Sequence, residues 1–73
     1  MQFYEYKGYT IYPAPHLVTG SQCWVIELMI KNKNAIKKYD NGDFFTTKGE
    51  AVFHSIMYGM KLIDDGIALL NQA

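Results

Sequence analysis

The sequence predicts an α+β fold in which a three-stranded antiparallel meander sheet, preceded by a short N-terminal strand, packs on one C-terminal helix. Two patterns carry this prediction. In the first half of the chain apolar residues alternate at the period of a strand, and over 52–67 they recur every three or four residues, the period of a helix. The length of the chain is that of one small domain, so residues 1–73 are expected to form a single domain.

The N-terminal region predicts the first two strands. Residues 3–12 alternate on both sides of Gly8, which indicates a short strand, a turn and the first main strand. Pro13 and Pro15 are expected to end that strand, because proline cannot donate to a ladder. Residues 13–22 then form a loop.

Residues 23–31 predict the central strand. By the period of two, one face carries the large apolar side chains, and we expect it to meet the helix: Trp24, Ile26, Leu28 and Ile30. The opposite face carries Val25 and Met29, which makes it unusually apolar for a surface in contact with solvent. Either loops and the side chains of Tyr12 and Tyr39 cover this second face, or a partner covers it.

A turn after the central strand leads into a third strand over 35–39. Its side chains are expected to alternate, with Ile36 pointing inward and Lys37 and Tyr39 pointing outward. The Asp-Asn-Gly-Asp run at 40–43 is the strongest turn signal in the chain and is expected to end this strand.

Thr47 and Glu50 have the spacing of a capping box, which predicts the start of the helix, and Gly66 predicts its end. Between them the spacing predicts one apolar stripe: Val52, Ile56, Met60 or alternatively Gly59, Ile63 and Ile67. Gly59 lies in the middle of this helix at a cost of about 1 kcal/mol relative to alanine. It lets either the helix lie close on the sheet or a second helix approach.

The composition argues against several kinds of site. Cys23 is the only cysteine, and His16 and His54 are the only histidines, so neither a disulfide nor a metal centre is expected. No phosphate-binding, hydrolase or metalloprotease motif occurs in the chain. We therefore expect no catalytic residues, no cofactor and no enzymatic activity.

The same reading predicts a cytoplasmic protein. The N-terminal residues lack the basic start and apolar run of a secretory signal, and no apolar stretch approaches the roughly 18 residues of a membrane helix. A lone thiol suits a reducing compartment. No membrane partner is expected.

Oligomerisation follows from the size of the chain. A domain this short buries a modest core, yet 49% of its residues are hydrophobic and 15% are aromatic. With disulfides and metals set aside, association with a second copy is the remaining source of stability, and we predict a homodimer. The predicted self-association residues are Val25, Met29 and Gly59.

Nucleic acid is the alternative partner. Five of the seven lysines lie within 31–48, although the formal net charge is zero and arginine is absent. Aromatic and basic residues interleaved on a sheet face can stack bases and contact phosphates. The predicted nucleic-acid contacts are Lys31, Lys33, Lys37, Lys38, Tyr12 and Tyr39.

Several short stretches resemble one bacterial family. The opening 6–11 (Tyr-Lys-Gly-Tyr-Thr-Ile), Trp24, the Glu50-Ala51 pair and the closing 61–66 (Lys-Leu-Ile-Asp-Asp-Gly) are together similar to small bacterial proteins labelled HlyU-family transcriptional regulators. The resemblance implies strands followed by a helix and a role in transcriptional control. Residues 45–51 also resemble the sheet-plus-helix arm domains of phage-type integrases, which bind DNA through their sheet.

The sequence thus predicts a non-enzymatic, cytoplasmic interaction or regulatory module that forms a homodimer. The alternative prediction is a domain similar to transcriptional regulators that binds nucleic acid through its sheet face.

Overall fold

The computed structural model describes residues 2–33 and 35–68 and confirms the predicted α+β class. One antiparallel sheet precedes one helix, α1 (Lys48–Asp64). The strands are β1 (Tyr4–Tyr6), β2 (Tyr9–Pro13), β3 (His16–Leu17), β4 (Trp24–Asn32) and β5 (Ala35–Phe45). The sheet therefore has five strands where the sequence predicted four.

A tight hairpin joins β1 to β2, as predicted. Tyr6 pairs with Tyr9, which leaves Lys7 and Gly8 as a two-residue loop. Both loop residues have positive φ angles, 50° and 83°, as a type I′ turn requires.

The predicted loop over 13–22 is wrong in its middle, where β3 continues the pairing of β2. Pro13 pairs with Leu28, and the register continues unchanged to the pairs that β3 forms with Val25 and Trp24. Between the two strands the N–H of Ala14 donates to the Glu27 carbonyl at 2.7 Å. Successive backbone nitrogens of a strand point to opposite edges, so the nitrogens of Pro13 and Pro15 point away from β4. Their lack of an N–H therefore costs no hydrogen bond to β4.

The central strand β4 has the predicted faces. Ile26, Leu28 and Ile30 are buried against the helix layer, and Ile11 of β2 completes this part of the core. Trp24 is half-buried, with the Lys48 ammonium 5.7 Å from its ring. The alternation along this strand therefore places one apolar face inside.

The Asp-Asn-Gly-Asp run at 40–43 forms a bulge, and the prediction of a strand-ending turn is wrong. Asp40 pairs with Glu27, and Phe44 pairs with Val25, so extra residues of β5 are accommodated while the strand stays on β4. Asn41 Oδ1 accepts from the Asp43 N–H at 2.9 Å, and Gly42 takes a φ of 80°. This local hydrogen bond and the glycine make the irregularity possible.

Both ends of α1 are confirmed. The Thr47 hydroxyl accepts from the Glu50 N–H at 3.2 Å and lies 3.1 Å from the Glu50 carboxylate. At the other end Gly66 has a φ of 75° and donates to the Ile63 carbonyl, while Ile67 donates to the Leu62 carbonyl. These two bonds form a Schellman motif, which satisfies carbonyls that the helix would otherwise leave open.

The helix packs on the sheet through small residues, one position out of phase with the predicted stripe. The buried positions are Ala51, Ser55, Gly59 and Leu62, whereas the predicted residues Val52, Ile56, Met60 and Ile63 are half-buried and Ile67 is exposed. A Cβ on Gly59 would lie 2.9 Å from Leu28 Cδ1 and 3.0 Å from two carbons of Ile11. Gly59 therefore serves close helix–sheet contact.

Replacing Gly59 with valine should lower the free energy of unfolding by about 2 kcal/mol or more, because the added carbons overpack the contact with Leu28 and Ile11. Gly49→Val is the matched control, since a Cβ there meets nothing within 4 Å. Chemical denaturation of both variants measures the difference. Equal stability of the two variants would contradict the packing described.

Asp64 ties the end of α1 to the β1–β2 hairpin. Its carboxylate accepts from the Lys7 ammonium at 2.7 Å and from the Tyr6 hydroxyl at 3.0 Å. The hydrogen bond from Lys7, followed by that from Tyr6, lowers the pKa of Asp64 below its usual value. Lys61 likewise pairs with Asp65 at 3.1 Å. The chain's own lysines thus compensate two acidic residues at a helix end that prefers cations.

The pH dependence of stability should report on Asp64. Because its pKa is lower in the folded state, it stabilises the fold above its unfolded pKa of about 3.9, and this contribution is lost as the pH falls through the folded pKa. Asp64→Asn should therefore lower stability at neutral pH and flatten its decline in acid. Thermal melts across the acid range test this, with Asp43→Asn as the control. A decline as steep in Asp64→Asn as in the control would refute the role of this carboxylate.

Candidate interaction surface

The sheet face opposite α1, called here the outer face, is the surface that the helix layer leaves uncovered. Directly paired residues of antiparallel strands point to the same side of a sheet. Tyr12 pairs with Met29, Met29 with Lys38, and Lys31 with Ile36, so all of these side chains share the outer face. The same reasoning adds Thr10, Val25, Glu27, Asp40 and Phe44.

An apolar band crosses the middle of the outer face. It consists of Phe3, Tyr12, Met29 and Ile36, which come from the segment before β1 and from three neighbouring strands. The rings of Phe3 and Tyr12 lie 5.9 Å apart. Phe3 is 57% exposed, Ile36 54% and Met29 38%. The band therefore presents large apolar side chains to solvent in adjacent positions.

Shallow grooves flank Met29. One of about 240 Å³ is lined by Tyr12, Pro13, Ala14, Met29 and Ile36. The second, of about 350 Å³, shares Ala14 and Met29 and is closed by Glu27, Leu28 and Lys38. Side chains of a facing surface can enter these grooves and so interdigitate with the apolar band.

A charged cluster lies beside the band. The Glu27 carboxylate forms an ion pair with the Lys38 ammonium and a hydrogen bond with Nδ1 of His16 at 2.7 Å. The hydrogen bond from Lys38 is the main cause that lowers the pKa of Glu27, and the one from His16 acts in the same direction. Glu27 is thus an ionised, half-buried group held between two strands that flank β4.

The structure separates the three residues predicted for self-association. Met29 is exposed in the apolar band, and Val25 is half-buried on the same outer face. Gly59 is buried against this chain's own Leu28 and Ile11. The prediction that Gly59 contacts a second copy is therefore wrong, because the sheet already occupies that position.

The six residues predicted to contact nucleic acid do not share one face. Tyr12, Lys31 and Lys38 lie on the outer face. Lys33 is exposed in the loop that follows β4.

Lys37 and Tyr39 lie on the helix side of the sheet, because they pair with Ile30 and Leu28. Tyr39 packs against the core, and this burial raises its pKa. The prediction that Lys37 and Tyr39 point outward, and that Ile36 points inward, is wrong. Tyr39 therefore does not help to cover the outer face.

Two residues of the apolar band were missed by the sequence reading. The sequence predicts that Ile36 points to the core, whereas the pairing of Asn32 with Ala35 places Ile36 opposite Lys31 on the outer face. Phe3 was counted only as part of a strand. Extending the Lys7–Gly8 hairpin by one position beyond the Tyr4–Ile11 pair places Phe3 beside Tyr12 and could have found it.

The residues considered for chemistry lie in different parts of the fold, with His16 in β3, Cys23 just before β4 and His54 in α1. His54 stacks on Phe45, with ring centroids 4.3 Å apart, and Cys23 is a half-buried thiol. Among residues 2–33 and 35–68 no group of three metal-ligating side chains occurs. Within the same residues, no helix has the length and apolarity needed to span a membrane.

A second apolar surface lies along the helix, on the side away from the outer face. Phe53 and Met57 are exposed there. A groove of about 490 Å³ runs between this surface and the N-terminal segment, and Phe3, which also contacts Tyr12 of the apolar band, is one of its lining residues: Gln2, Phe3, Tyr4, Gly49, Val52, Phe53 and Ile56. Among the described residues, two ion pairs lie at the end of α1: Lys7 with Asp64 and Lys61 with Asp65. This surface provides a position for matched control substitutions.

Comparison with protein-family models finds no match, and neither do comparisons with curated proteins and with solved structures. The resemblance to the HlyU-labelled family therefore stays a prediction from the sequence.

Proposed function

We propose that this protein is a non-enzymatic interaction module that forms a homodimer through its outer face. The observation that supports this most is the exposed apolar band of Phe3, Tyr12, Met29 and Ile36, on the side of the sheet that α1 does not cover. Complete burial of such a side chain is worth about 1.5–3 kcal/mol, so these half-exposed residues retain a substantial driving force for association.

The shape of the outer face suits a second sheet. Two sheets pack face to face through alternating side chains from their inner surfaces. Three rows of strands form the middle of the outer face: β2 continued by β3, then β4, then β5. Neighbouring strands lie about 4.8 Å apart, and β4 is nine residues long, so these rows cover a flat area of roughly 450 Å². Side chains and Phe3 enlarge this area toward the roughly 800 Å² per partner of a standard interface.

Charge also favours a second copy as the occupant. The outer face carries Lys31 and Lys38 together with Glu27 and Asp40, so both signs are present around the apolar band. The formal net charge of the chain is zero, and two copies therefore approach without overall repulsion. A surface with mixed charge and an apolar centre can be complementary to itself across a two-fold axis.

Strand-edge pairing is a poorer route to a dimer. Within the described residues β5 pairs only with β4, and its other edge is open. That edge contains the bulge at 40–43 and the charged residues Lys37, Lys38, Asp40 and Asp43. Bulges and charges of this kind oppose continuous edge-to-edge pairing.

Met29→Glu should convert the dimer into a folded monomer, because it places a charge in the centre of the apolar band where Met29 is already 38% exposed. Met57→Glu is the matched control, since Met57 is 48% exposed on the helix surface. Sedimentation equilibrium from about 1 to 500 μM covers the range in which a modest interface dissociates. Circular dichroism verifies that both variants are folded.

A monomeric wild-type protein throughout that concentration range would refute the homodimer. Dissociation by Met57→Glu with no effect of Met29→Glu would place the interface on the helix and refute the outer face as the binding surface.

Nucleic-acid binding is a second candidate, favoured by one groove. This groove, of about 410 Å³, is lined by Tyr12, Lys31, Asn32, Lys33, Ala35 and Ile36, so an aromatic ring lies beside two lysines at the end of the outer face. A base could stack on such a ring while the lysines contact phosphate. The acidic Glu27 and Asp40 on the same face count against it.

For this candidate, Lys33→Ala should weaken the binding of a short single-stranded DNA, because it removes one phosphate contact. Lys37→Ala is the control on the other side of the sheet. Fluorescence anisotropy at low and high salt measures both, and binding should fall steeply as salt rises. No binding at low salt, or equal losses in the two variants, would refute nucleic-acid binding by this groove.

A further inference from the structure

We infer that the two copies stack with their β4 strands running in opposite directions, so that Lys31 of each copy faces the acidic end of the other's outer face. This inference rests on the proposed homodimer and adds its arrangement. It follows from how charge is distributed along β4 and β5.

The outer face is electrically asymmetric along its strands. On β4, Lys31 and Glu27 each lie two residues from Met29, in opposite directions and at about 7 Å. Asp40 pairs with Glu27 and extends the acidic end onto β5, while Ile36 pairs with Lys31 at the basic end. Glu5 also faces outward, but on β1, two rows from β4.

The charges of the outer face differ in the ion pairs that they form. Glu27 is held by Lys38 and His16, whereas neither Lys31 nor Asp40 forms an ion pair among the residues that the structure describes. Both side chains are exposed. The hydrogen bond to Glu27 is the main cause that raises the pKa of Lys38, and the nearby Asp40, which lies beyond ion-pair distance, is the last. The exposed Asp40 carboxylate can still accept Lys31 of a second copy.

Symmetry then distinguishes two arrangements. A two-fold axis that passes through Met29 perpendicular to the strands reverses the second copy, which brings its acidic end over Lys31 and joins the two Met29 side chains at the centre. The neighbouring rows of Lys31 and Asp40 are about 5 Å apart, a distance that lysine can span. An axis parallel to the strands instead stacks the two basic ends on each other, and like charges oppose it.

Two complementary variants test this arrangement. Lys31→Asp places like acidic charges at both contacts of its own homodimer, and Asp40→Lys places like basic charges there. When the two variants are mixed, both contacts between positions 31 and 40 again join opposite charges. Sedimentation equilibrium of each variant and of their equimolar mixture gives the dissociation constants, and circular dichroism verifies folding.

Each variant alone should dissociate about tenfold more readily than the wild type, since two exposed charge pairs are lost and replaced by repulsion. The mixture should regain dimerisation near the wild-type level, as a heterodimer. A wild-type dimer with both variants unaffected, or with a mixture no tighter than its components, would overturn the arrangement while leaving the homodimer intact. A monomeric wild type would overturn the proposed function itself.

Discussion

The close contact between α1 and the sheet is the constraint on which the rest of this structure depends. Gly59 lies so near Leu28 and Ile11 that a single added carbon would meet them at about 3 Å. The helix can approach this closely because the positions that face the sheet are occupied by small residues. Its larger apolar side chains are thereby displaced to one side, where they are half-buried. The core of this short chain is thin, and its stability rests on tight packing in one layer.

The helix α1 covers one face of the sheet, and the outer face is the one that it leaves uncovered. The alternation along β4 places Met29 between Glu27 and Lys31 on that face, while the regular pairing of β5 before its bulge places Asp40 beside Glu27. The same strand therefore supplies an apolar centre, an acidic end and a basic end. The proposed pairing with a reversed copy rests on these three features, with burial as the proposed source of affinity and charge as the proposed source of orientation.

The sequence predicted those parts of the fold that depend on local rules. The capping box at Thr47, the glycine stop of the helix and the alternation of β4 follow from hydrogen bonding and periodicity alone. The phase of the helix could not be predicted in this way, because hydrophobicity points to the largest side chains and Gly59 marks the line of closest approach. The positions of Ile36 and Tyr39 depend on the length of a loop, since a shift of one residue exchanges the faces of a strand. The sequence therefore predicted only part of the outer face, namely the exposed position of Met29.

The most direct test of the account is an isotope-filtered nuclear Overhauser experiment on a mixture of labelled and unlabelled copies. It detects contacts between chains without any substitution. The account predicts intermolecular signals at the methyl groups of Met29 and Ile36 and none at Met57. Signals confined to Met57 and its neighbours on the helix, or no intermolecular signals at concentrations where the protein is dimeric by sedimentation, would contradict the claim that the outer face joins two copies.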